Sequence, residues 1–178
     1  RPRLIARVRV MTGSKPAQPT SVAPSPADQW EARYGGADGY YYGTEPNDFL
    51  RSIVSDPVVD GASGRSGPPT ALCLADGEGR NGVYLAQLGY AVTSVDLTQA
   101  GMDKAARLAA DRGVSLTTVV ADLAEFDLGE GQWDLIVSIF AHTPPPIRAR
   151  VHAALQRALR PGGRFVLEAY TPDQIGRG

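Results

Sequence analysis

The stretch from Ala71 to Asp96, ALCLADGEGRNGVYLAQLGYAVTSVD, constrains the fold more than any other part of the chain. Ala71 to Ala75 is an apolar run too short for a helix, and it predicts a buried strand. The turn Asp76-Gly77-Glu78-Gly79-Arg80-Asn81 follows, and its glycines permit positive φ and close approach of a ligand to bare backbone. Val83, Leu85, Ala86 and Leu88 then give a short amphipathic helix closed by Gly89. A second strand, Ala91 to Val95, ends in Asp96. Strand, glycine turn, helix and acid-tipped strand make half of a nucleoside-binding α/β fold. Free amides at the helix start suit an anionic ligand group. Asp96, at the carboxyl end of its strand, is placed to accept from both hydroxyls of a ribose.

The spacing alone leaves the nucleoside open. Gly77-x-Gly79-x-x-Gly82, with an acid 19 residues after Gly77, also fits a dinucleotide fingerprint. However, Leu72-x-Leu74-x-x-Gly77-x-Gly79-Arg80-Asn81, then Leu85-Ala86, Gly89-Tyr90 and Asp96, resemble the class I S-adenosylmethionine-dependent methyltransferases. The Gly79-Arg80-Asn81 variant is similar to the tellurite-resistance and thiopurine methyltransferase branch. The resemblance spans Trp30 to Tyr170 and implies S-adenosylmethionine as cofactor, with S-adenosylhomocysteine as product. It assigns Asp76, Gly77, Glu78, Gly79, Arg80, Asn81, Asp96 and Leu97 to cofactor binding.

The 178 residues fit one domain with a sizeable core. An apolar content of 43% and a formal charge of −1 describe a soluble protein with no basic surplus for nucleic acid. No apolar run approaches the roughly 20 residues that span a membrane, and a cytoplasmic compartment is the default expectation. Cys73, the single cysteine, lies in the first core strand and reads as a small buried hydrophobe. Two histidines ten residues apart supply no metal cluster.

Four segments are expected. Residues 1–27 carry Arg1, Arg3, Arg7, Arg9 and Lys15 with no acid, then Pro16, Pro19, Pro24 and Pro26, and predict a disordered basic extension. An acid-free arginine-rich start also suits a transit peptide, but no clear amphipathic helix supports it. Residues 28–60 hold five aromatics within thirteen positions, from Trp30 to Tyr42, and a helix capped by Asn47. They read as helices that pack an aromatic face on the sheet or form a lid. In the family the N-terminal segment covers the sulfonium, which implies Trp30, Tyr34 and Tyr42 as cofactor contacts. Residues 61–69 are a flexible linker, and 70–178 form the core.

Beyond Asp96, Thr98 predicts a helix cap, with Met102, Ala105, Leu108 and Ala109 inward and Gly113 ending the helix. Val114 to Val120 is a third strand, and the resemblance places adenine at its end, against Asp122 and Leu123. Trp133 to Phe140 is a fourth strand, and Ser138 and Phe140 near its carboxyl end are assigned to the cofactor. Ligands bind outside such ends at the switch in strand order, so the acceptor is expected here. His142 is the candidate base, with a plain polar residue at a helix start as the alternative. Thr143 reads as N-cap with Pro144 at the first helical position, and the helix runs to Arg160. Pro161-Gly162-Gly163 and a fifth strand, Arg164 to Tyr170, form a further methyltransferase marker.

Two departures from the family stand out. Cys73 replaces the usual acid and Ala75 the usual glycine, so Asp76 or Glu78 is expected to hold the turn instead. The sequence also stops at Gly178, where relatives add a helix and an antiparallel strand pair. That predicts a truncated chain whose fifth strand is an uncovered edge, prone to self-association. The expected fold is α/β, a doubly wound Rossmann-like parallel sheet in the order 3-2-1-4-5, counted from the Ala71 strand. The expected activity is methyl transfer to a small-molecule acceptor, a thiol or chalcogen oxyanion among the candidates. The alternatives are a cofactor-binding domain without turnover and a nicotinamide-dependent oxidoreductase. Neither nucleic acid nor membrane is expected as a partner.

Overall fold

A computed structural model of the chain describes residues 2–9, 24–36, 39–55 and 67–171. Its elements run β1 (Arg3–Arg9), α1 (Pro26–Gly35), α2 (Asp48–Ile53), β2 (Thr70–Leu74), α3 (Arg80–Gln87), β3 (Ala91–Asp96), α4 (Gln99–Asp111), β4 (Thr117–Val120), β5 (Trp133–Ile139), α5 (Pro145–Ala158) and β6 (Leu159–Tyr170). The strands form one sheet in the order β1-β6-β5-β2-β3-β4, and every pairing is parallel. Five of them, β4-β3-β2-β5-β6, reproduce the expected order; β1 adds a sixth. No described helix is long and apolar enough to cross a membrane.

The central strands are apolar throughout because both faces are covered. On β2, Ala71 and Cys73 face a cluster with Leu50 and Val54 near α2, Leu85 of α3 and Val137 of β5. Leu72 and Leu74 point the other way, into a cluster with Ile136 and with Val151, Leu155 and Ala158 of α5. A two-residue period with both sets apolar is what a strand between two helical layers requires. Cys73 is buried and unpaired by disulfide, as its place in this strand implied.

The N-terminal segment departs from expectation. Residues 10–23 lie outside the described residues, as do 56–66, which include most of the expected linker. Residues 3–9, by contrast, are a strand, paired in register from Arg3 with Arg164 to Arg9 with Tyr170. The physical reason is Glu168, whose side chain on β6 is fully buried. Arg7 Nε and Arg9 Nε both donate to its Oε1, the latter at 2.7 Å, and both guanidiniums also reach Asp48. A buried carboxylate needs such partners, and the arginines read as unbalanced charge have their counter-ions on β6 and α2. The expectation of an uncovered fifth strand is corrected accordingly: β1 occupies that edge, and self-association through β6 loses its premise.

Smaller corrections have local causes. Helix α5 starts at Pro145 with Pro144, not Thr143, as its cap residue, because a residue that precedes proline is held extended. It ends at Ala158, since Leu159 turns extended to pair with Trp133. Strand β4 begins at Thr117, because the Val114 amide is spent on Ala109 O at the end of α4. Asn47 does cap α2, its side chain accepting from Leu50 N at 3.0 Å.

The turn after β2 is shaped by two neighbours. A Cβ on Gly79, where φ is +84°, would lie 2.4 Å from Ala105 Cβ on α4. One on Gly77, where φ is +59°, would lie 2.7 Å from the Tyr34 hydroxyl. Gly79→Ala is therefore expected to destabilise the fold by about 2–4 kcal/mol through overpacking and backbone strain. Urea unfolding would check it, and adding Ala105→Gly should restore part of the loss.

Candidate active site

The carboxyl ends of β2, β3, β4 and β5 open into one cleft of about 460 Å³. Its floor is the turn after β2. Ala75 takes φ +51°, a left-handed conformation that costs a residue with a Cβ about 1–2 kcal/mol. From there the chain folds back, and Asp76 N donates to Val95 O at 3.1 Å. The Asp76 carboxylate then turns under the loop, where Oδ2 accepts from Gly82 N at 3.1 Å and Ser94 Oγ at 2.7 Å. Glu78 accepts from Tyr41 N at 2.6 Å and pairs with the buried Lys104 at 2.9 Å. Lys104 also donates to Gly39 O at 2.6 Å. Asp76 thus holds the turn, and Glu78 latches the aromatic segment to it.

Asp96 is buried at the tip of β3. Its Oδ2 accepts from Gly77 N at 2.9 Å, and its Oδ1 from Thr98 N at 3.1 Å and Thr98 Oγ1 at 2.7 Å. Asp96 also lines the same cleft. Asp96 therefore serves as a bracket for the turn as well as a candidate ribose acceptor. Thr98 occupies the cap position of α4 but spends its hydroxyl on Asp96, not on the helix.

Of the other sequence-predicted residues, Trp30, Tyr34, Tyr42, Arg80, Asn81, Leu97, Asp122, Leu123, Phe140 and His142 line this cleft with Asp76, Gly77 and Glu78. Gly79 and Ser138 do not. Gly79 backs onto α4, and Ser138 is enclosed between Leu74 and Leu167 in the sheet. Asp122 is exposed and bends its carboxylate onto Ala124 N at 2.7 Å. On one side Trp30 stacks on Tyr34 with centroids 5.4 Å apart, and the Arg33 guanidinium lies 4.5 Å from the Trp30 ring. Burial raises the Tyr34 phenol well above its ordinary range, so it stays protonated. The expected aromatic lid and the expected aromatic packing face are thus one structure: Tyr34 is buried, and Tyr42 is exposed.

Opposite stands a wall of three rings. Tyr170, at the end of β6, lies 4.6 Å from Phe140 and 5.2 Å from His142, the latter parallel to within 2°. Phe140 is left-handed at φ +53°, and its amide donates to Glu168 O at 2.8 Å. His142 has its pKa lowered by burial, which keeps its imidazole neutral near pH 7. The sequence reading missed Tyr170 as a cleft residue. The alternation of β6 was its only signal, and the ring reaches the cleft because parallel strands end together. Among the described residues no group of three or more His, Cys, Asp or Glu could hold a metal ion.

Residues 71–163, more than half of the chain, match the methyltransferase-domain family model. The chain belongs to this family, the class I S-adenosylmethionine-dependent methyltransferases. It is 28% identical over 108 residues to a 2-heptyl-1-hydroxyquinolin-4(1H)-one methyltransferase of Mycobacteroides abscessus, covering 56% of this chain and 48% of the relative. It is 34% identical over 100 residues to an uncharacterized methyltransferase of Synechocystis, covering 54% and 44%. Thus the chain spans less than half the length of either curated relative. A solved S-adenosylmethionine-dependent methyltransferase of Mesorhizobium loti superposes with a TM-score of 0.54 at 26% identity, covering 67% of this chain and 50% of that one. The family's cofactor fits the residues present: a nucleoside-sized cleft, an acceptor position on Asp96 and donors at the start of α3. The nicotinamide alternative has no support in these comparisons.

Two outcomes follow for the acids. Burial pushes the Asp76 carboxyl up to about 7, against the lowering effect of the Ser94 and Gly82 hydrogen bonds. The folded state therefore binds this proton more tightly than the unfolded chain does. Its stabilising contribution is complete below about pH 4 and is lost as pH rises through about 7. Asp76→Asn should match the parent near pH 4 and exceed it in stability at pH 8 by a few kcal/mol, in melts across that range. Asp96→Ala should weaken S-adenosylhomocysteine binding by roughly 10- to 100-fold and also cost about 1–3 kcal/mol of stability, since Gly77 N and Thr98 lose their acceptor. Calorimetric titration and thermal melting read the two effects separately.

Proposed function

We propose that this domain transfers a methyl group from S-adenosylmethionine to a small planar aromatic acceptor that carries a thiol or hydroxyl. The observation that carries the reading is the ring wall of Phe140, Tyr170 and His142, which shares one cleft with Asp96 and the glycine turn. Flat rings attract another flat ring by offset stacking and solvate a compact chalcogen oxyanion poorly. A thiol acceptor therefore stays within the expectation from sequence, and the chalcogen oxyanion recedes. The Gly79-Arg80-Asn81 variant supports kinship with the tellurite-resistance and thiopurine branch. The hydroxyquinolone relative supports a cyclic, unsaturated acceptor.

The bound cofactor supplies a methyl carbon activated on a sulfonium: an acceptor lone pair bonds to that carbon while the carbon–sulfur bond breaks and sulfur keeps its electron pair. The protein's share is alignment and exclusion of water. Trp30, Tyr34 and Tyr42 enclose the cleft from one side and offer aromatic faces to positive charge. A thiol that ionises near neutrality needs no base. A hydroxyl does, and neutral His142 is placed to take its proton.

Production of S-adenosylhomocysteine from S-adenosylmethionine with a panel of aromatic thiols, aromatic hydroxyls and selenite tests the reading. Turnover with aromatic members supports it. Binding of S-adenosylhomocysteine with no turnover on any acceptor would leave a cofactor-binding domain. His142→Ala should lower the rate on hydroxyl acceptors by about 10²- to 10⁴-fold and leave that on acidic thiols within about threefold. In the parent, the hydroxyl rate should fall as pH drops through the lowered His142 pKa.

A further inference from the structure

A line of buried hydrogen bonds connects the N-terminal strand to the cleft. Glu168 receives Arg7 and Arg9 on Oε1, and Asn47 Nδ2 on Oε2 at 2.7 Å. That bond decides which way the Asn47 amide faces, and its Oδ1 accepts from Leu50 N to cap α2. With Asn47 held from both ends, its backbone N–H donates to Asn81 Oδ1 at 2.9 Å. Asn81 is only 6% exposed, and it lines the cleft from the second position of α3. Its carbonyl is directed back into the protein, so its Nδ2 faces the cleft, without an acceptor among the described residues. An amide N–H₂ without a protein acceptor, on a largely buried side chain that lines the cleft, is a donor open to a ligand.

We propose that Glu168 is a positioning residue which, through Asn47, holds Asn81 with its amide donors toward the cleft, where they bind the carboxylate on the amino-acid end of S-adenosylmethionine. The inference rests on the methyltransferase reading. That carboxylate is the cofactor's one anionic group, and it is excluded from the other end of the cleft by Asp96 and Asp122. At the Asn81 end the amides at the start of α3 and the Arg80 guanidinium add favourable field. Glu78, the acid nearest to them in sequence, has its charge matched by Lys104. The N-terminal strand thereby acts on the site without touching it, because Arg7 and Arg9 hold the Glu168 carboxylate in place.

Two ligands separate the amino-acid end from the rest: S-adenosylhomocysteine, and 5′-methylthioadenosine, which keeps the thioether nucleoside and lacks the carboxylate. Calorimetric titration is made on the parent chain, Asn81→Asp, Glu168→Gln and Asn47→Ser, with thermal melting of each. Asn81→Asp, which replaces the donor with a like charge, should weaken S-adenosylhomocysteine by at least about tenfold and methylthioadenosine by less than about threefold. Glu168→Gln should shift the ratio of the two affinities in the same sense, by about three- to tenfold. Asn47→Ser, which keeps the helix cap and drops the Glu168 contact, should do likewise and supplies the reading if Glu168→Gln does not fold. An unchanged ratio in Asn81→Asp would overturn the carboxylate assignment. An unchanged ratio in Asn47→Ser, with Asn81→Asp as expected, would overturn the positioning role. Failure of the parent to bind either nucleoside would overturn the methyltransferase reading, and this inference with it.

Discussion

Two buried carboxylates, Asp76 and Asp96, hold the turn on which the rest of the site depends. Neither is paired with a basic side chain in its hydrogen bonds; each is satisfied by backbone amides and hydroxyls. Asp76 gathers Gly82 N and Ser94 Oγ, so the start of α3 is tied to β3. Asp96 gathers Gly77 N and the Thr98 cap, so the same turn is tied to the start of α4. Four of the five donors here are fixed by secondary structure or a buried side chain. The turn is therefore preorganised, and a ligand need not order it.

A second constraint comes from the sheet. Because all pairings are parallel, every strand delivers its carboxyl end to one edge, and the chain must leave each strand there. At the two central strands it leaves through left-handed non-glycine residues, Ala75 after β2 and Phe140 after β5. Strain of this kind persists only where the surroundings over-determine it. Ala75 is fixed by the Asp76 N–Val95 O bond and Phe140 by its amide's bond to Glu168 O. The same Glu168 anchors the N-terminal arginines and Asn47, so one buried acid on β6 joins the outermost strand, the α2 cap and the ring wall.

The regular elements were legible because they are written in local chemistry. Apolar runs of five to seven residues bounded by turns gave β2, β3 and β5. Asn47 gave its cap, and Gly77 with its left-handed φ gave the turn. The candidate cleft was legible as a set of motif residues, most of which do converge. Misplaced were those whose role depends on what lies behind them: Gly79, whose missing side chain makes room for Ala105 and not for a ligand, and Ser138, which the sheet encloses. Strand β1 was misread because arginines before a proline-rich stretch have the composition of a disordered tail. Their partner, Glu168, lies more than 150 residues away.

What the sequence determined by itself was therefore the periodic and the punctuated: which segments are strands, where glycine permits a turn, and which acid ends which strand. Those follow from backbone sterics and from burial on one or both faces, which neighbours in sequence suffice to set. Tertiary structure alone decided the partners. It chose Thr98 and Gly77 for Asp96, Ser94 for Asp76, the arginines of β1 for Glu168, and Tyr170 for the ring wall. A hydrogen bond or ring contact acts over a few ångströms, and only the folded sheet brings such distant residues that close.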